Sequence, residues 1–244
     1  MKLMNSQGVD NWYMKSKNIN IENIPVVLYG DTSDKLYIFI HGKNGNKEEA
    51  AAFAEIVCSK GYQILSMDLP GHGERKNEIG DFVPWKVVPE LQSIIKYSKK
   101  HWNQIDLRAN SIGAWFGMQA YQDETLTKSL FVSPVLDMEQ LIKDMMQRAA
   151  VTEKDLEEQK VIPTSFGETL DWNFYQYTKM NPISKWNSQT WILYADKDNL
   201  TSRQTVDDFV VRFQSKLTAV EDAEHWFHTS EQLKVLNHWI QKNS

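Results

Sequence analysis

Gln104-Ile105-Asp106-Leu107-Arg108-Ala109-Asn110-Ser111-Ile112-Gly113 runs from a strand-like stretch into a helix-like one that continues from Ala114 to Tyr121. A serine on so sharp a strand-to-helix turn projects its hydroxyl above a sheet, and the backbone N–H that follows faces the same space. Ala109-Asn110-Ser111-Ile112-Gly113 matches the pattern G-x-S-x-G, except that alanine replaces the first glycine. Small residues at both ends let the strand and helix backbones pass closely. The competing reading of Ser111 is a serine that caps a helix. Its surroundings decide between the two.

The chain has 244 residues, of which 41% are hydrophobic and 24% charged. That composition belongs to a globular protein, long enough to bury one substantial core. A net charge of -5 without a basic stripe argues against nucleic acid as a partner. The basic cluster Lys96-Tyr97-Ser98-Lys99-Lys100 falls at the end of a predicted helix, where cations complement the helix dipole. Cys58 is the only cysteine, which excludes an internal disulfide and a C-x-x-C metal site. Next to Phe53-Ala54-Glu55-Ile56-Val57 it reads as a small packing residue. Met1-Lys2-Leu3-Met4-Asn5-Ser6-Gln7 lacks the apolar stretch of a secretory signal. No run approaches the ~20 apolar residues that span a bilayer. A cytoplasmic protein with no membrane partner is expected; its oligomeric state is not legible.

Working outward from Ser111, short apolar runs alternate with helix-period segments. Strands are predicted at 24–29, 36–40, 62–68, 104–108, 129–132, 191–194 and 217–220. Helices are predicted from Asn46 to Lys60 with Gly61 as stop, from Pro84 or Trp85 to Trp102, near Thr205 to Phe213, and from Ser230 to Gln241. Pro89 implies a kink or a later start in the second helix. The alternation implies an α/β fold: a mostly parallel central sheet with helices on both faces, and an antiparallel edge supplied by the first hairpin-like pair. The core then spans 1–136 and 186–244. The interval 137–185 breaks the alternation, with helical composition at 138–150 and 153–160 followed by Phe166, Trp172, Phe174, Tyr175 and Tyr177. An insertion of that length is usually functional, and it reads as a small helical lid.

Four features, each just past a predicted strand, make the chain resemble the α/β-hydrolase family over nearly its whole length. In order they are Ile40-His41-Gly42-Lys43-Asn44-Gly45, then Asp68-Leu69-Pro70-Gly71-His72-Gly73, then the turn at Ser111. The last is an acid followed by a histidine, Ala195-Asp196-Lys197-Asp198 and Ala223-Glu224-His225-Trp226-Phe227. Parallel sheets bind ligands outside the carboxyl ends of their strands. A serine hydroxyl is a poor nucleophile and needs a base within hydrogen-bond reach. Histidine, with an unperturbed pKa of about 6.5, suits that role, and a carboxylate must fix its tautomer.

The resemblance implies Ser111 as nucleophile, His225 as base and Asp198 as acid, in the family's chain order Ser, Asp, His. It also implies an oxyanion hole from the backbone N–H groups of Lys43 and Ile112. His228 is the competing base. Asp196 and Asp137 are the competing acids, each otherwise a solvated loop carboxylate or a helix cap. His41 and His72 read as loop-shaping residues, and His101 and His238 as surface or packing residues on helices. Met145, Met146, Trp172, Phe174, Tyr175 and Tyr177 are candidates to wall an apolar acyl pocket, Met145, Trp172 and Tyr175 foremost. The competing reading has them pack the lid onto the core.

Gly42-Lys43-Asn44-Gly45-Asn46-Lys47 lacks the G-x-x-x-x-G-K-[ST] spacing of a phosphate loop, and no ligand cluster suggests a metal. The expected activity is hydrolysis of carboxylic esters, or of thioesters or small amides, through an acyl-enzyme. No cofactor is needed, and the partner is a small ester-like molecule. The alternatives are a silent ligand-binding homologue, an acyltransferase, and a peptidase for short substrates.

Overall fold

The computed structural model describes residues 14–244, so the reading of Met1–Gln7 concerns residues outside those described. The central strands are β1 (Ser16–Ile21), β2 (Ile24–Tyr29), β3 (Lys35–Ile40), β4 (Gln63–Met67), β5 (Gln104–Asn110), β6 (Lys128–Val132), β9 (Gln189–Ala195) and β10 (Lys216–Val220). They form one eight-stranded sheet in the order β1-β2-β4-β3-β5-β6-β9-β10. From β4 to β10 all neighbours are parallel, while β2 is antiparallel to both β1 and β4. Strands β3, β4 and β5 are buried along nearly their whole length, as expected for parallel strands covered on both faces.

Alternate residues of these strands serve different cores. Ile38, Leu65 and Leu107 pack with Leu91 of α2 (Pro84–Ser98), Phe116 of α3 (Ile112–Tyr121) and Phe209 of α7 (Arg203–Phe213). Tyr37, Phe39 and Ile64 face the other way, onto Phe53 of α1 (Ala50–Val57) and Trp239 of α8 (Ser230–Asn243). Each such buried side chain contributes about 1.5–3 kcal/mol. The local signals act where the sequence puts them. The Asn46 side chain accepts from the Glu48 N–H at the entrance to α1, and Gly61 ends that segment at φ 79°. Pro84 takes the first turn of α2, which continues through Pro89. Thr229 and Gln232 form a reciprocal capping box before α8.

Two features depart from the sequence reading. The runs β2 and β3 are not a hairpin: β4 lies between them, because β3-α1-β4 is a parallel crossover that returns on that side. The antiparallel edge is instead the hairpin β1–β2, turned at Glu22 and Asn23, both at positive φ. The interval 137–185 holds α4 (Met138–Arg148), α5 (Glu153–Gln159) and α6 (Trp172–Met180), together with an antiparallel ribbon of β7 (Val161–Pro163) and β8 (Thr169–Asp171) that the helical reading did not contain. Met146, Leu156, Leu170 and Tyr175 join the same core as α3, so the insertion packs onto that helical layer rather than standing detached.

Candidate active site

Ser111 ends β5 and opens α3 with φ 50° and ψ -126°. A non-glycine residue in that region carries strain of roughly 1–3 kcal/mol and persists only when its surroundings enforce it. Here the Ser111 N–H donates to Val132 O at 3.1 Å, and its carbonyl accepts from Ala114 at 3.1 Å and Val135 at 3.0 Å. Glycine is required two residues later: a Cβ on Gly113 would stand 2.4 Å from His41 O. Ala109, at the position where glycine is usual, is fully buried in β5.

Two loops from the far side of the sheet reach this serine. The loop after β10 brings the His225 ring to 2.8 Å from Ser111 Oγ, through Nε2. The loop after β9 brings Asp198 Oδ2 to 2.8 Å from His225 Nδ1. A carboxylate only accepts, so Nδ1–H donates to Asp198, and in the neutral ring Nε2 is the atom that accepts from the serine hydroxyl. The Asp198 side chain is fully buried, and its Oδ1 accepts from the N–H groups of Leu200 (2.8 Å) and Thr201 (3.1 Å). Thr201 in turn donates its hydroxyl to Pro134 O and accepts from the Tyr194 hydroxyl. The two loops are stitched together by Asp196 N–H to Val220 O and Lys197 N–H to Ala223 O.

The remaining candidates go elsewhere. Asp137 caps α4, accepting from the Gln140 N–H, and Asp196 is exposed. His228 is exposed and stacks on Trp226. His238 is exposed on α8, and His101 sits just past α2, bonded to Tyr97 O. Tyr175 lies inside the insertion with its hydroxyl on Glu153, and Trp172 pairs with Tyr175. Met145 packs partly buried against the same core. The rings that bridge the insertion to α3 are Phe174 and Tyr177, both against Trp115.

On the other side of Ser111 lies the loop after β3. Among the described residues, neither the Lys43 nor the Ile112 N–H donates to a protein acceptor. The first N–H of a helix has no intrahelical partner, which accounts for Ile112. The loop itself is held by histidines. His41 donates from Nδ1 to Gly42 O at 2.7 Å and accepts from the Leu69 N–H at 3.1 Å. Burial pushes its pKa down to about 4, so it is neutral at pH 7. His72 accepts from the Asn44 N–H at 3.0 Å and donates to Pro70 O.

A buried ion pair that sequence reasoning missed ties the loops after β3 and β4. Lys47 Nζ lies 2.8 Å from Asp68 Oδ2, with both side chains buried, and also contacts Glu74 and Glu48. The N–H groups of Lys47 and Glu74 complete the shell of Asp68. Burial opposes the charge on Asp68, but these donors outweigh it and hold its pKa below the ordinary carboxylate value. Gly73, at φ 51°, leaves the space: a Cβ there would sit 2.2 Å from Asp68 Oδ1. Asp68 and Gly73 were in view in the sequence; their partner 21 residues upstream carried no local signal. The exposed side chain of Lys43 pairs with Glu168, at the turn of the β7–β8 ribbon.

Sheet order, helices on both faces and loops at the carboxyl ends together make this the α/β-hydrolase fold. No protein-family model and no curated protein sequence matches the chain. Solved structures do. Est1E from Butyrivibrio proteoclasticus, in a structure with ferulic acid bound, superposes with a TM-score of 0.72 at 19% identity, covering 93% of this chain and 96% of that one. Mouse alpha/beta hydrolase domain-containing protein 10 gives 0.73 at 16% identity, covering 93% and 97%. An esterase of Pyrococcus furiosus gives 0.62 at 16% identity, covering 96% and 92%. No helix among the described residues is long and apolar enough to cross a membrane.

Proposed function

We propose that this protein is a serine hydrolase acting on carboxylic esters of small molecules. The observation that carries the reading is the single imidazole of His225, 2.8 Å from Ser111 on one side and 2.8 Å from Asp198 on the other. Ser111 Oγ attacks the ester carbonyl while His225 Nε2 takes its proton. Asp198 keeps the ring in the required tautomer and stabilises the imidazolium. The N–H groups of Ile112 and Lys43 receive the developing oxyanion, a contribution worth about 10²–10³ in rate per donor. Collapse expels the alcohol with a proton from His225, and water activated by the same ring releases the acid.

Residues 137–185 act as a lid over this centre, with Met145 and Trp172 as candidate walls of the acyl site, Tyr175 packing the lid's own interior, and Phe174 and Tyr177 linking it to α3. Thioesters and small amides are open to the same machinery. Purified protein assayed on p-nitrophenyl esters of graded acyl length tests the reading. It predicts turnover that disappears in Ser111→Ala with an unchanged melting temperature. Turnover that survives this substitution refutes it.

A further inference from the structure

Arg108 is 3% exposed in the middle of β5, on the face that packs against α1 and α8. Its guanidinium lies beside the rings of Phe39 (5.6 Å) and Phe53 (5.8 Å). None of the ion pairs among the described residues includes it, and Nε is buried without a hydrogen-bond partner. Burial costs this cation several kcal/mol, offset in part by the Glu49 carboxylate beyond ion-pair distance, and an apolar side chain of similar volume is often neutral or better for the fold. Both of its described hydrogen bonds go to one place. Nη1 donates to Ala109 O at 2.9 Å and to Asn110 Oδ1 at 2.6 Å, the two residues that immediately precede Ser111.

Those two residues set the geometry on either side of the serine. Ser111 is held at a strained φ of 50°. Asn110 O also lies 3.5 Å from the position a Cβ would take on Gly42, beneath the loop that carries Lys43. A shift of the Asn110 peptide therefore moves the serine and one side of the oxyanion loop together. We infer that Arg108 is a positioning residue, which clamps the Ala109 carbonyl and the Asn110 side chain so that the turn at Ser111 keeps its reactive geometry. The inference rests on the serine-hydrolase reading.

Displacements of about 1 Å in a reacting group cost on the order of 100-fold in rate. Arg108→Met is expected to lower kcat by about 10- to 100-fold and to move KM less than about twofold, with a melting temperature at or above that of the parent. The rate at which a fluorophosphonate labels Ser111 should fall by the same factor. Asn110→Ala should reproduce the loss, and the double variant should add little to either single one, because the two side chains act as one unit. Arg108→Met with parental kcat and labelling rate overturns the inference, as do losses that multiply in the double variant. If Arg108→Met does not fold, Asn110→Ala decides alone: a lowered labelling rate at parental stability supports the clamp, and a parental rate overturns it. A parent protein that takes no label overturns the serine-hydrolase reading instead.

Discussion

On one side of Ser111 the loops after β3 and β4 are knitted by buried polar groups: His41 and His72 on backbone atoms, and Lys47 on Asp68. On the other side, the loops after β9 and β10 are held by the buried Asp198 carboxylate, by Thr201 between Pro134 and Tyr194, and by two backbone hydrogen bonds, while the chain around the imidazole faces solvent. The His225 side chain is 18% exposed, and Trp226 next to it is 68% exposed. The difference matches the chemistry that the proposed mechanism asks of each side. Donors for an oxyanion act by being fixed before charge develops, so their loop repays a rigid, costly frame. A base that must take and return a proton needs orientation from a single partner and contact with water. Under the proposed mechanism the backbone donors lie on the more buried side, and proton transfer on the more exposed one.

The comparison breaks or sharpens under substitution. The largest effect is expected on the exposed side: His225→Ala should lower kcat by about 10⁶ and Asp198→Asn by about 10⁴. His225→Ala should leave the melting temperature within experimental error. A large drop in its melting temperature would show that the exposed side also carries the fold. Next comes Asp68→Asn, which takes the buried carboxylate from Lys47 but leaves Glu74 and Glu48 on its ammonium, and should cost about 3 kcal/mol in denaturant unfolding. Replacing both as Lys47→Met with Asp68→Leu should not recover that loss, because the N–H groups of Lys47 and Glu74 then lose their acceptor.

The third effect is a pH dependence. His41 is buried neutral with a folded pKa of about 4, below its unfolded value of about 6.5. The unfolded chain therefore binds the extra proton. The contribution is fully present above pH 6.5 and is lost as pH falls toward 4, on the order of 3 kcal/mol in all. His41→Gln should flatten that slope in thermal melts recorded across this window. The smallest effect belongs to the Lys43–Glu168 pair, where both side chains are half-exposed. Glu168→Gln should change stability by less than about 1 kcal/mol, and the change should shrink in high salt.

Much of the architecture is legible because buried parallel strands read as unbroken apolar runs, as in Leu36 to Ile40. Their ends are marked by the residues that follow: His41, Ser111 and the acid turn at Ala195-Asp196-Lys197-Asp198. The edge strand β1 is not legible, since Ser16-Lys17-Asn18-Ile19-Asn20-Ile21 is largely exposed and mostly polar. Nor is the place of β4 between β2 and β3, which depends on where a crossover lands rather than on any local signal. The ribbon strands, three residues each, are too short to show a period. Within the site, the residues at strand ends announce themselves by position. The clamps do not: Lys47 finds Asp68 only after the chain has folded. Arg108 carried no more signal than Asp106, the other charge buried in the same strand.

The claim on which the rest depends is that Ser111 is a nucleophile activated by His225. Trypsin releases Ser111 in the peptide 109–128, where it is the only serine. Mass spectrometry of that peptide after exposure to a fluorophosphonate tests the claim most directly. The account predicts the adduct on Ser111 in the parent protein and labelling slowed by orders of magnitude in His225→Ala. An adduct on another residue, no adduct at all, or equally fast labelling without the imidazole would contradict it.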